Sequence, residues 1–283
     1  MSDIARPVLR YHGGKFRLAP WVIAHFPAHR VYVEPFGGAA SVLLRKARSY
    51  AEVYNDAWGV VVNVFRVLRD PATAAELERL LRLTPYAREE FDACGDEQIR
   101  QIDDPVERDR RTILRSFAGF GSASTNAQHS TGFRSNSNRS GTTPAHDWAH
   151  YPDIIPDFTR RLQGVVIENR PAAEVIREHD GPRTLHYVDP PYVQSTRNIK
   201  RGNAYYDQEM TDDDHRELAG ELHHARGMVV LSGYRCDLYD ELYADWARVD
   251  CDAYADGAQP RVESLWLSPN ITSTQPRLLE VTP

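Results

Sequence analysis

The stretch that most constrains this chain runs from Thr184 to Tyr192, where a short apolar segment leads directly into Asp189-Pro190-Pro191-Tyr192. A brief apolar run bounded by a turn signal reads as a buried strand, and two consecutive prolines stop any ladder or helix. The strand must therefore end in a stiff turn. That turn holds a carboxylate (Asp189), a carbonyl (Pro190) and an aromatic ring (Tyr192) close together at the carboxyl edge of a sheet, the edge at which open α/β sheets bind ligands. The plainer reading is a strand end closed by prolines, and the rest of the chain decides between the two.

Tyr11-His12-Gly13-Gly14-Lys15 comes first, ahead of an amphipathic run from Leu18 to Phe26. Paired glycines let backbone approach a ligand closely, and Lys15 stands ready for an anionic group. The P-loop spacing is absent. Val31 to Glu34 reads as a strand, followed by Pro35-Phe36-Gly37-Gly38 and an apolar helix through Val42, Leu43 and Leu44. A strand, a glycine turn and a helix hold nucleotide-like ligands at the first crossover of a doubly wound sheet. Glu34 at the strand end suits a cationic or hydroxyl-bearing ligand and would repel phosphates. The next strand, Glu52 to Tyr54, ends at Asn55-Asp56. Asp56 falls about twenty residues beyond the glycine turn, where doubly wound folds hold ribose hydroxyls. It also suits the N-cap of a helix starting near Ala57.

From Val60 to Phe117 the pattern is helical, punctuated by Pro71, Pro85 and Pro105. This is too long for a crossover and predicts a helical insertion. Gly119 to Thr143 is dense in Gly, Ser, Thr and Asn, with Phe120, Phe133, Arg134 and Arg139 interspersed. Such a composition serves as a flexible linker or, after a basic helix, as a reader of base edges. The α/β pattern returns with a strand at 164–169 that places Asn169 at its tip, a helix at 171–179, a helix capped by Thr211 and running to about Ala225, a buried strand at Met228–Leu231, and an alternating, antiparallel strand at Val262–Leu267. The expected division is a sheet-bearing domain at 1–59 and 160–283, with a helical and loop insertion at 60–159.

The net charge of −6 argues against a polyanionic partner until its distribution is considered. Arg108, Arg110, Arg111, Arg115, Arg134 and Arg139 face only Asp109 between 108 and 139, and 193–206 carries Arg197, Lys200 and Arg201 without an acid. Local basic stretches on a net-acidic chain fit nucleic acid on one face or solvated arginines. The three scattered cysteines fit a reducing cytosol, and the histidines lack a metal-site spacing. With no long apolar run, a cytoplasmic protein that neither spans a membrane nor binds a metal is expected.

Y-H-G-G-K at 11–15, V-E-P-F-G-G at 33–38, N-D at 55–56 and D-P-P-Y at 189–192, in that order, resemble the Dam-type (class alpha) adenine-specific DNA methyltransferases. The resemblance implies an α/β fold: a Rossmann-like sheet of the S-adenosylmethionine-dependent methyltransferase type, with the helical insertion as target-recognition domain. It also implies methyl transfer from S-adenosyl-L-methionine to the 6-amino group of adenine in double-stranded DNA, by base flipping, in a monomer or weak dimer. The cofactor set is then Tyr11, Gly13, Gly14, Lys15, Glu34, Pro35, Phe36, Gly37, Gly38, Asp56, Asn169 and Asp189, and the catalytic set Asp189, Pro190 and Tyr192. Candidate DNA contacts are Arg111, Arg115, Asn126, Phe133, Arg134, Asn136, Arg139, Arg197, Lys200 and Arg201. The same chemistry on RNA or a protein amide, or a silent DNA-binding protein, are the alternatives. The target sequence and any accompanying restriction nuclease, as in a restriction-modification pair, stay open.

Overall fold

In the computed structural model the described residues are 4–11, 13–120, 132–136, 141–196, 209–255 and 259–274. Five expected DNA contacts, Asn126, Arg139, Arg197, Lys200 and Arg201, lie outside them. The chain opens with α1 (Ala19–Ala24), β1 (Val31–Glu34), α2 (Ser41–Arg45) and β2 (Ala51–Asn55). A helical run follows: α3 (Gly59–Arg69), α4 (Pro71–Leu83), α5 (Arg88–Asp92), α6 (Asp96–Arg100), α7 (Pro105–Ala118), α8 (Pro144–Ala149) and α9 (Ile155–Leu162). Strands then return as β3 (Val165–Glu168), α10 (Ala172–His179), β4 (Thr184–Val188), α11 (Asp212–His224), β5 (Met228–Gly233), α12 (Asp237–Leu242), β6 (Ala247–Ala255), β7 (Gln259–Leu267) and α13 (Pro269–Thr274).

The strands form one seven-stranded sheet in the order β3-β2-β1-β4-β5-β7-β6. The first five are parallel, and β7 runs antiparallel between β5 and β6. Strand order reverses between β1 and β4, which pair from Val31↔Thr184 to Val33↔His186. Glu34 and Asp189 therefore flank the switch point, where a crevice opens at the carboxyl ends of the strands.

Period-two alternation assigns the two faces. Tyr32, Tyr54, Leu185, Tyr187, Val230 and Leu265 share one core cluster with residues of α1, α2, α3, α7 and α9. On the other face, Val188, Val229, Leu231 and Trp266 meet α11 and α12, while Val33 and Val53 meet Val175 of α10. Counting in twos from the first set reaches Glu34, Asp189, Ser232 and Glu263. One face of the sheet thus delivers four polar side chains to its carboxyl edge.

Two helix starts combine an acid N-cap with proline at the first helical position, which accounts for two of the prolines that punctuate this region. Asp70 accepts from the amides of Ala72 and Thr73 ahead of α4, and Asp104 accepts from Val106 ahead of α7. Thr211 and Asp214 form a reciprocal capping box on α11. Below the sheet edge, buried Glu52 pairs with Lys46 at 2.6 Å and Arg161 at 2.6 Å, joining α2, β2 and α9.

The structure departs from the sequence reading in specific places. The helix expected near Ala57 starts at Gly59, and its flanking residue is Trp58, without a side-chain cap. Asp56 lies too far upstream to cap it. Helices α6, α8, α9, α12 and α13 and strand β6 were not expected. Each of these helices has eight residues or fewer, too short for periodicity to stand out. Strand β6 is an edge strand that alternates Arg248, Asp250 and Asp252 with Val249 and Cys251, a polar pattern that protects an exposed edge.

Candidate active site

The first wall of the crevice is the turn after β1, and β2 holds it in place. The Gly37 amide donates to the Asn55 carbonyl at 2.7 Å, the Gly38 amide donates to Asp56 Oδ2 at 2.8 Å, and the Tyr54 hydroxyl donates to the Gly38 carbonyl at 2.8 Å. Only glycine fits here. A Cβ on Gly37 would stand 2.2 Å from the Tyr54 ring, and Gly38 has φ +46°. Asp56 Oδ1 also accepts from the Trp58 amide at 2.8 Å. Asp56 is thus aimed across the turn.

Asparagines tie the strand tips together. Asn55 Nδ2 donates to the carbonyls of Pro35 (2.8 Å) and Arg170 (3.0 Å), and Asn169 Nδ2 donates to the Asp56 carbonyl at 2.7 Å. Asn169 is exposed and lies outside the cavity lining, as does Pro35; both shape the turn instead. Asn55 is a structural residue the sequence left unassigned.

The second wall is the turn after β4. Lys15 Nζ donates to Asp189 Oδ1 and to the Gly13 carbonyl, both at 3.0 Å, bringing the amino-terminal motif onto the D-P-P-Y turn. It also stands 3.6 Å from Glu263 Oε1. Glu263, buried on β7, accepts the Tyr192 hydroxyl, and accepts the Ser232 hydroxyl at 3.0 Å. Tyr192 is 7 % exposed, with Lys15 Nζ 4.7 Å from its ring centroid and the Tyr234 ring edge-on at 4.6 Å. It does not line the cavity. In this arrangement it braces the turn from behind and does not offer a face for stacking. Glu263, Ser232 and Tyr234 were missed by sequence reasoning, although the alternation of β7 puts Glu263 on the same face as Leu265.

Between these walls lies a cavity of about 470 Å³, within the range of small-molecule sites. Tyr11, Gly13, Gly14, Lys15, Phe36 and Trp58 contribute to it, and the Tyr11 and Trp58 rings are 6.2 Å apart. Gly37, Gly38, Glu34, Asp56, Asp189 and Pro190 complete the part that sequence reasoning anticipated. The far side is formed by the start of α10 and by Asp214, Glu217 and Glu221 along α11.

Acidic side chains outnumber basic ones in the cavity lining, and Glu34 and Asp189 are withdrawn from water. Burial pushes the Glu34 carboxyl up to about 8, against bonds from the Tyr32 hydroxyl (2.6 Å) and the Leu43 amide (2.9 Å), both to Oε2. Asp189 is also pushed up, to about 6: burial raises it, Lys15 pulls it down and Glu263 pushes it up. Burial raises Asp56 too, while the Trp58 and Gly38 amides oppose the shift.

The expected DNA contacts fare differently. Arg111 is bonded to Glu107 (2.7 Å) and the Ala93 carbonyl (2.9 Å), and Arg115 to the Cys94 carbonyl (2.6 Å) and Asp96 (3.2 Å). Arg110 pairs with Glu107 and Glu90. The arginine excess of this segment is therefore matched by Glu107 in the first turn of α7 and by acids of α5 and α6, which a window starting at 108 leaves out. Phe133 packs on Tyr86 at 5.0 Å and Phe91 at 5.8 Å, and Arg134 is buried. Asn136 is exposed.

Among the described residues no group of three or more His, Cys, Asp or Glu side chains is placed to hold a metal ion, and no helix is long and apolar enough to cross a membrane. A family model described as D12 class N6 adenine-specific DNA methyltransferase matches residues 11–254. None of the curated proteins compared with the chain matches it.

Proposed function

Because the chain belongs to the D12 class of N6 adenine-specific DNA methyltransferases, we propose that it methylates an adenine flipped out of duplex DNA, with S-adenosyl-L-methionine held in the crevice between β1 and β4. The observation that carries this reading is the position of Asp189: on the wall of the 470 Å³ cavity, beside Glu34 and opposite Asp56.

The residues present suit that cofactor. Glu34 and Asp56 supply acceptors at the tips of β1 and β2, the glycine turn allows close backbone approach, and Tyr11, Phe36 and Trp58 supply apolar walls. An anionic, aromatic cavity favours a cation. Glu34 and the turn Phe36-Gly37-Gly38 would hold the methionine part, Asp56 the ribose hydroxyls, and Tyr11 and Lys15 the side nearest the D-P-P-Y turn. When bound, the cofactor supplies an electrophilic methyl group on a sulfonium.

Adenine's exocyclic amine is a weak nucleophile because its lone pair is delocalised into the ring. Asp189 and the Pro190 carbonyl are preorganised acceptors for its two hydrogens, and they favour the pyramidal nitrogen of the transition state over the planar ground state. The side chain of Asp189 is 16 % exposed, so a base reaches it only by leaving the helical stack. Segment 60–159 serves as the recognition part, with exposed Asn136 among its candidate contacts.

Asp189→Ala tests the assignment. It is expected to keep cofactor binding and to lose methyl transfer to duplex DNA; substantial remaining transfer overturns the role. Methylation-sensitive sequencing of DNA from cells expressing the protein reads base and target together, and label found only in RNA or protein would overturn the DNA substrate.

A further inference from the structure

A carboxylate taken out of water has to be compensated by partners. Glu263 is 3 % exposed, and its Oε1 meets three groups: the Tyr192 hydroxyl, the Ser232 hydroxyl at 3.0 Å and the Lys15 ammonium at 3.6 Å. Lys15, 5 % exposed, is in turn shared between Asp189 and Glu263. One ammonium thus serves two carboxylates. If Lys15 neutralised Asp189 alone, that carboxylate would be a weaker acceptor for the hydrogens of an amine.

We infer that Glu263 is a positioning residue for methyl transfer: it balances the Lys15 charge in front of Asp189 and anchors the Tyr192 hydroxyl behind it. The inference rests on Asp189 as the acceptor of the target amine.

Among the described residues the surroundings of Asp189 are few enough to name. Lys15 faces it from the amino-terminal segment, Glu34 from β1, Tyr187 from β4, Tyr192 from its own turn and Glu263 from β7. Tyr234, with Arg261 5.7 Å from its ring, and Tyr239 of α12 complete the set. Lys15 is the cation in contact, and Glu263 is the second carboxylate bonded to it. A brace that served only folding would leave the acid–base behaviour of Asp189 where it was. A charge balance would not.

The experiment is single-turnover methyl transfer to duplex DNA across pH, on the full chain, with cofactor affinity measured alongside. In the unaltered protein the acid limb is expected near pH 6, where Asp189 takes up its proton. Glu263→Gln removes the balancing charge, so Lys15 bears wholly on Asp189. The limb is expected to fall by about one unit and the plateau rate by about tenfold or more, while Glu263→Asp restores the limb. Lys15→Met in the otherwise intact chain is expected to move the limb the other way, and it carries the test if Glu263→Gln fails to fold. An unmoved limb in Glu263→Gln, or in Lys15→Met where that variant stands in, overturns the inference. Asp189→Ala separates the two levels. If it is inactive while the limb stays put, only the role of Glu263 falls; if it remains active, the reading of Asp189 falls and takes the role of Glu263 with it.

Discussion

Binding of S-adenosylmethionine should release a proton from Glu34. Burial holds this carboxyl near 8, so at pH 7 about nine-tenths of the protein carries it protonated, and ionising it costs about 1.4 kcal/mol. An ammonium placed beside Glu34 lowers its pKa, and the proton leaves on binding. The sign follows: affinity rises with pH as long as Glu34 starts protonated and levels off above pH 8. The linkage gives a gain of roughly ninefold from pH 6 to 7, roughly fivefold from 7 to 8 and less than twofold from 8 to 9. Asp189, near 6, is already about nine-tenths ionised at pH 7 and adds little to the release. Calorimetric titration in two buffers of different ionisation enthalpy counts the proton directly. Glu34→Gln keeps acceptors for the Tyr32 hydroxyl and the Leu43 amide but cannot titrate, so its release should fall to whatever the ligand's own amine contributes. Equal proton release and equal pH dependence in Glu34→Gln and the unaltered protein would refute the reasoning.

Three further outcomes are expected. Gly37→Ala puts a methyl 2.2 Å from the Tyr54 ring and 2.9 Å from the Asn55 carbonyl, so denaturant unfolding should show a loss of about 1–3 kcal/mol; an unchanged midpoint would contradict it. Arg161→Ala leaves buried Glu52 with Lys46 and the Ser49 amide, and unfolding should report a loss of about 3 kcal/mol. Asp109, fully buried on α7 and bonded to Asn63, is raised well above the usual carboxylate range by burial, which the Asn63 bond and the Arg108 charge only partly offset. The folded state then binds the extra proton, so stability is lost as pH rises above about 4, the ordinary carboxylate value. Asp109→Asn should melt higher than the unaltered protein at pH 8 and match it near pH 4; a parallel pH dependence in both would count against this.

The sheet was legible because its parallel strands are short apolar runs ended by strong punctuation: the glycine turn after Glu34, Asn55-Asp56 after β2, the two prolines after Asp189. These same punctuation marks supply one part of the cavity wall, so that part was legible with the fold. What the sequence withheld was contact between distant segments. Lys15 was read as a ligand for an outside anion, yet the structure gives it Asp189 and Glu263. Tyr192 was read as an aromatic ring of the catalytic set, yet its hydroxyl is tied to Glu263. The arginines of α7 counted as a basic stretch because charge was summed along the chain, whereas Glu90 and Asp96 approach them through space. A linear window sees charge; only packing shows who neutralises it.

The union of residues 15, 189 and 263 around one ammonium has a consequence for how the protein is made. Glu263 sits on β7, which must slot antiparallel between β5 and β6 before its carboxylate can meet Lys15. During synthesis the glycine turns and the D-P-P-Y strand emerge long before that can happen, and contacts of such sequence separation form late because loop closure must come first. On the proposed reading, a nascent or truncated chain lacking β7 would present the crevice without Glu263 behind Asp189, and methyl transfer would await the last strand of the sheet.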